Sequence, residues 1–224
     1  EQLLRGEKVA PQSHANVTVL FSDICGFTEL CDRISAQKVT NMLDRLYKNY
    51  DALSKKHEVW VLETIGDCFL AVTNMVKEQQ SDHCARMAFF ALEVLQAASE
   101  TLIDDEDPSL GVVAIRVGFS SGPVVANVVG RSHPKYTLFG STVNTASRME
   151  STSVPGRIHC SEMSAQLIRL QAPTGITLEP RGHREVKGKG RMRTYFVFKS
   201  SAQKQRPLLT RAASQGSEMS EGWP

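Results

Sequence analysis

Two aspartates stand where apolar runs end. Asp23 closes the run Val17-Thr-Val-Leu-Phe-Ser-Asp23, and Asp67 sits in Glu63-Thr-Ile-Gly-Asp67, a tight turn between two more apolar runs. A carboxylate is costly at the end of a sheet unless something cationic meets it. Two carboxylates on rigid strand ends, with glycines beside both, suit a paired Mg²⁺ site that grips a polyphosphate. The competing reading is that each Asp only caps a turn or helix, a role Asp often takes.

Three further groups bear on that choice. In Phe21-Ser-Asp-Ile-Cys-Gly-Phe-Thr28 a strand enters a turn and then a short helical stretch. The backbone amides at Gly26, Phe27 and Thr28 would face an anion there, and Gly26 lets the chain approach it closely. In Asn144-Thr-Ala-Ser-Arg148 an amide and a guanidinium are four residues apart, so a helix projects them side by side. Arg suits the negative charge that builds on a transferring phosphoryl group, and Asn can orient a ribose; a solvated surface pair is the plain alternative. In Val186-Lys-Gly-Lys-Gly-Arg191, Lys187 and Lys189 alternate with glycines in an expected hairpin turn. They can reach a terminal phosphate as point charges, although basic hairpin tips are common. Arg157, ahead of Ile158-His-Cys160, is a weaker phosphate candidate.

The elements that must position these groups alternate along the chain. Strands are expected at 17–22, 58–63, 68–73, 112–119, 124–129, 136–139, 157–160, 182–187 and 193–198. Ser35 can cap a helix whose Val39, Met42, Leu43, Leu46, Tyr47, Tyr50 and Leu53 keep helical spacing, and further helices are expected at 82–102, 142–150 and 162–170. The order β-α-β-β-α-β with C-terminal additions predicts an α+β fold with a ferredoxin-like βαββαβ core. Its helices are expected on one face of an antiparallel sheet, with the other face left free for a partner.

The composition is ordinary for a globular domain: 224 residues, 41% hydrophobic, net charge +2. That charge gives no electrostatic footprint for nucleic acid, and none is expected as a partner. Cys25, Cys31, Cys68, Cys84 and Cys160 show no CxxC spacing, which predicts reduced thiols in an intracellular domain. No apolar run is long enough to span a bilayer, so no membrane contact is expected from this segment. Residues 1–15 read as a linker, 16–200 as one catalytic domain and 201–224 as a disordered tail. The chain does not begin with Met. It is expected to be a piece of a larger protein, cytoplasmic or on the cytosolic side of a membrane, with a regulatory domain upstream.

Together, FSDICGFT, ETIGD, GPVVANVVG, YTLFGSTVNTASRMEST and VKGKG closely resemble class III nucleotidyl cyclases over roughly residues 16–199, most of all the eukaryotic guanylate cyclases. The resemblance implies that Asp23 and Asp67, joined by the Ile24 carbonyl, hold two Mg²⁺ or Mn²⁺ ions per site. It implies that Asn144 orients the ribose, that Arg148 stabilises the α-phosphoryl, and that Lys187, with Lys189 second, meets the terminal phosphates. Glu63 and Thr137 fall at the base-reading positions. An ionised Glu63 only accepts, which suits the N1–H and 2-amino edge of guanine. Adenylate cyclases of the family usually carry Lys there. Thr137 departs from the Cys usual in guanylate cyclases and can donate to guanine O6 or accept from the adenine amine. Ser141 departs from a frequent Asp, with no functional reading attached.

These assignments imply GTP as substrate, with 3′,5′-cyclic GMP and pyrophosphate as products of attack by the ribose 3′-oxygen on the α-phosphorus. The general base stays open among Asp23, a water and a substrate phosphate. The resemblance also implies a dimer whose sites take carboxylates from one protomer and Asn, Arg and base readers from the other. A homodimer is expected, a heterodimer with a related cyclase chain being the alternative. An adenylate cyclase and a non-catalytic regulatory subunit are the other readings.

Overall fold

The alternation of apolar residues along the strands decides the architecture. The computed structural model describes residues 10–130 and 134–200. The expected tail, 201–224, and residues 1–9 of the expected linker lie outside them. In β1 (Gln12–Ile24), Leu20 and Ile24 face one core, while Val17, Val19 and Phe21 face another. In β3 (Cys68–Thr73), Phe69 and Ala71 join the first core, and Leu70 and Val72 the second. A period of two with both phases apolar means a sheet covered on both faces.

β2 (Trp60–Ile65), β3, β1 and β4 (Ile115–Val129) lie in the order β2-β3-β1-β4, every adjacent pair antiparallel. With α2 (Ala36–His57) between β1 and β2, and α3 (His83–Glu100) between β3 and β4, this is the expected ferredoxin-like βαββαβ core. The sheet continues through β6 (Arg157–Ser161), parallel to β4, then β8 (Gly190–Lys199) and β7 (Ile176–Val186). β5 (Lys135–Phe139) pairs with β4 off this path, giving eight strands. The short α1 (Phe27–Arg33) follows β1, and α5 (Glu162–Gln171) follows β6. Ser35 caps α2 as expected, accepting from the Lys38 amide.

Three expectations need correction. First, helices cover both faces: α2, α3 and α5 bury Met42, Leu46, Met87, Phe90 and Ile168 in the first core, but α4 (Ser141–Ser151) lies on the opposite face, with Ala146 in the second. Gly118 makes this docking possible. A Cβ there would stand 1.8 Å from the Glu150 amide nitrogen, so the α4 backbone rests directly on β4. Second, the strands expected at 112–119 and 124–129 are one strand, β4. The ladder to β1 shifts register between His14 and Val17, opposite Pro123, so the missing proline N–H falls in a bulge and leaves the strand continuous. Third, β1 begins at Gln12 and β7 at Ile176, several residues before their expected starts. The β1 extension is polar and lacks the apolar alternation by which strands are recognised in sequence. The β7 extension alternates through Ile176 and Leu178, which pack on the first core, but is interrupted at Pro180, where the ladder to β8 shifts register.

Candidate active site

Asp23 is the penultimate residue of β1 and faces the α4 side of the sheet, in phase with Val19 and Phe21. Asp67 occupies the β2–β3 turn, held from below by α2: Tyr47 donates its hydroxyl to the Gly66 carbonyl at 2.9 Å. The two carboxylates meet. Burial raises the Asp67 pKa first, the charge of Asp23 and a hydrogen bond to it raise it further, and backbone hydrogen bonds from Asp67 itself and Ile24 oppose the rise. Two half-exposed carboxylates that repel each other favour a cation between them.

The donor set fits Mg²⁺ or Mn²⁺, which take hard oxygen ligands and keep waters or phosphate oxygens in the remaining positions. Among the described residues no group of three or more His, Cys, Asp or Glu is placed to hold a metal ion. The thiols nearby are not nucleophiles. Burial, then the charge of Asp23, pushes Cys68 up to about 11, and burial also raises Cys25.

Two residues beside the carboxylates were not singled out in the sequence. Arg116 on β4 pairs in register with Asp23, and its Nη2 donates to Asp23 Oδ2 at 2.9 Å. Its Nε donates to Glu150 Oε1 on α4 at 3.1 Å. The signal was present in each case. Arg116 is a lone charge in the apolar run Ile115-Arg-Val-Gly-Phe119, and Glu150 is a lone acid on the buried stripe Thr142, Ala146, Met149 of its helix.

Gly26 takes a left-handed conformation (φ 71°) at the start of α1, directly after the Asp23 strand, and a Cβ there would meet only open space on most sides. Phe27 turns its ring into the first core, so only its backbone is offered to a ligand, while Thr28 is exposed.

Glu63 on β2 is linked to β5 by Lys135, whose Nζ lies 3.0 Å from Glu63 Oε1. Lys135 and Thr137, two apart on β5, share a face. The Lys135–Glu63 pair joins strands that are not neighbours in the sheet, a link with no local signal in the sequence.

Asn144 and Arg148 project from α4, and among the described residues no hydrogen bond or ion pair occupies either side chain. The Lys189 ammonium contacts Ser141 at the start of that helix, so the VKGKG turn between β7 and β8 lies beside it, with Lys187 exposed. Arg157 stands apart: its guanidinium lies over the Phe198 ring, 5.0 Å from the centroid.

Asn144 and Arg148 do not turn toward this protomer's own carboxylates. Glu150 points to Arg116 and Asp23, and at about 100° per residue Arg148 lies roughly 160° around the helix from it. Glu150, which faces Asp23, and Arg148 thus project from different sides of α4.

A family model for the adenylate and guanylate cyclase catalytic domain matches residues 9–199. The soluble guanylate cyclase subunit beta-2 of Rattus norvegicus is 40% identical over 200 residues, covering 89% of this chain and 28% of that protein. The chain thus spans less than a third of the length of such curated relatives. The guanylate cyclase domain of RhGC from Catenaria anguillulae, solved in complex with GTP, is 39% identical with a TM-score of 0.77, over 85% of this chain and all of that one. A rhodopsin-guanylyl cyclase core with converted specificity, solved with ATPalphaS, is 38% identical with a TM-score of 0.77, over 86% of this chain and all of that one.

Proposed function

Since the chain belongs to the adenylate and guanylate cyclase catalytic domain family, we propose that it cyclises GTP to 3′,5′-cyclic GMP and pyrophosphate as a dimer with shared sites. The observation that carries this reading is the meeting of Asp23 and Asp67 at the ends of their strands. These carboxylates, with the Ile24 carbonyl, would hold two divalent ions, Mg²⁺ or Mn²⁺. When bound, such ions lower the pKa of the ribose 3′-hydroxyl and neutralise the leaving phosphates.

The chain's own residues do the rest by binding and orientation. Glu63 accepts from guanine N1–H and the 2-amino group, and Thr137 donates to O6. The amides at Gly26, Phe27 and Thr28, with Lys187 and Lys189, hold the polyphosphate. Asn144 fixes the ribose so that the 3′-oxygen lies in line with the leaving pyrophosphate. Arg148 meets the charge that grows on the α-phosphoryl as the new 3′-O–P bond forms and the bond to pyrophosphate breaks. Among the described residues no helix is long and apolar enough to cross a membrane.

Chromatographic measurement of cyclic GMP from GTP, and of cyclic AMP from ATP, with Mg²⁺ and with Mn²⁺, tests the assignment. Turnover of GTP in clear preference to ATP is expected. Equal turnover would mean that Thr137, whose hydroxyl serves either base, governs recognition in place of Glu63. No product from either, in a folded dimer, would overturn the enzymatic reading.

The orientation of α4 supports the shared site. Asp67→Asn and Arg148→Ala should each be inactive alone. Mixed by co-refolding, about half of the dimers are mixed, and each holds one intact site of two, so symmetry predicts roughly a quarter of wild-type activity. No recovery in confirmed mixed dimers would place the whole site within one protomer.

A further inference from the structure

Glu150 has no part in the roles assigned above, yet it is the most buried carboxylate beside the metal half of the site. Its side chain is 12% exposed, against 28% for Asp23 and 31% for the Arg116 that joins them. Burying an acid this far is costly unless its partner is held well. Here the partner is held on both sides. The Arg116 fork gives Nη2 to Asp23 at 2.9 Å and Nε to Glu150 at 3.1 Å. Glu150 in turn cannot drift, because the α4 backbone at this residue rests on Gly118, with no room even for a Cβ between them.

The charges explain why such an arrangement is useful. Asp23 must give its oxygens to a cation, but a guanidinium already bonded to one of them competes for the same lone pairs. With Glu150 present, the group holds three carboxylates, Asp23, Asp67 and Glu150, and one guanidinium, a net of two negative charges. Without the Glu150 charge, Arg116 would be balanced by Asp23 alone and the net would fall to one. We propose that Glu150 is a positioning residue for the metal half of the site: it takes up the Nε side of Arg116 and shares its charge, leaving Asp23 able to hold a divalent ion. The proposal rests on the two-carboxylate reading above and adds to it a third carboxylate that touches neither metal nor nucleotide. Outer-shell partners of this kind typically change metal affinity by about 10–100-fold when removed.

Glu150→Gln tests the charge while keeping an acceptor for Arg116. Free Mn²⁺ is titrated by electron paramagnetic resonance against the 224-residue chain with 3′-deoxy-GTP, which lacks the attacking hydroxyl and so cannot turn over. Glu150→Gln should bind Mn²⁺ about ten-fold more weakly, and Glu150→Asp, which keeps the charge, should recover most of that loss. In turnover, the Mn²⁺ concentration for half-maximal rate should rise by a similar factor, with a smaller change in kcat at saturating metal. Glu150→Met removes the charge without burying an amide, and gives the same reading if the Gln variant does not fold. Wild-type Mn²⁺ affinity in a folded charge-free variant would overturn the proposal and reduce Glu150 to an anchor for α4. Asp67→Asn runs alongside: its Mn²⁺ binding should be lost whatever Glu150 does. Unchanged binding there would overturn the two-carboxylate site itself, and this proposal with it.

Discussion

Asp67→Asn is expected to lower cyclic GMP formation about a thousand-fold, roughly 4 kcal/mol of transition-state stabilisation, while fold and dimer persist. Asp67 sits in a turn, and its carboxylate meets Asp23, not an apolar neighbour. Removing its charge therefore takes little from packing. The amide is nearly isosteric, and the Tyr47 bond to the Gly66 carbonyl, which holds the turn, does not involve the side chain. Stability should even rise slightly, because a carboxylate whose pKa is raised in the folded state is under strain when ionised. Steady-state turnover over a range of Mg²⁺, together with thermal unfolding and a sedimentation measurement of the dimer, checks all three points. Near-normal turnover in the folded Asn variant would sink the two-metal reading.

The second large effect concerns the base. Glu63→Lys alone should cut kcat/KM for GTP by on the order of a thousand-fold, since it removes two acceptors and sets a donor against donors. Its local consequence is also unfavourable: Glu63 now pairs with Lys135 at 3.0 Å, and the substitution would leave two ammonium groups facing each other. Adding Thr137→Asp supplies an anion on the face of β5 that Lys135 shares. The double variant should therefore relieve that repulsion and invert the donor and acceptor signs at both base positions, turning preference toward ATP. Competition between GTP and ATP, followed by product ratio, reads the change directly. An undiminished preference for GTP in the double variant would show that Glu63 and Thr137 are not the base readers. The wild-type ion pair is exposed and worth only about 0.2–1 kcal/mol, so its loss does not by itself predict unfolding.

Much of this was legible in the residues. The apolar alternation of β1 and β3, the helical spacing after Ser35 and the turn glycines placed the βαββαβ core, because periods of 2 and 3.6 are local properties of the chain. The same locality marked Asp23 and Asp67, polar residues at the ends of apolar runs, and Asn144 with Arg148, four apart on a helix. The relations between those elements were not local. That α4 lies on the opposite face from α2, α3 and α5 depends on Gly118 meeting the helix backbone at Glu150, a contact across 32 positions that no periodicity announces. The Arg116 link between Asp23 and Glu150, and the Lys135 link to Glu63, join residues from separate elements, and each looked like an ordinary charge in its own segment. The orientation of Asn144 and Arg148 away from their own carboxylates is likewise a matter of how one helix is rotated on the sheet. Sequence by itself determined which chemical groups the chain owns and which strand or helix carries each, because side-chain type and local period suffice for that. Tertiary structure alone decided which of those groups meet, since burial on a two-faced sheet fixes the rotation of every element against its neighbours.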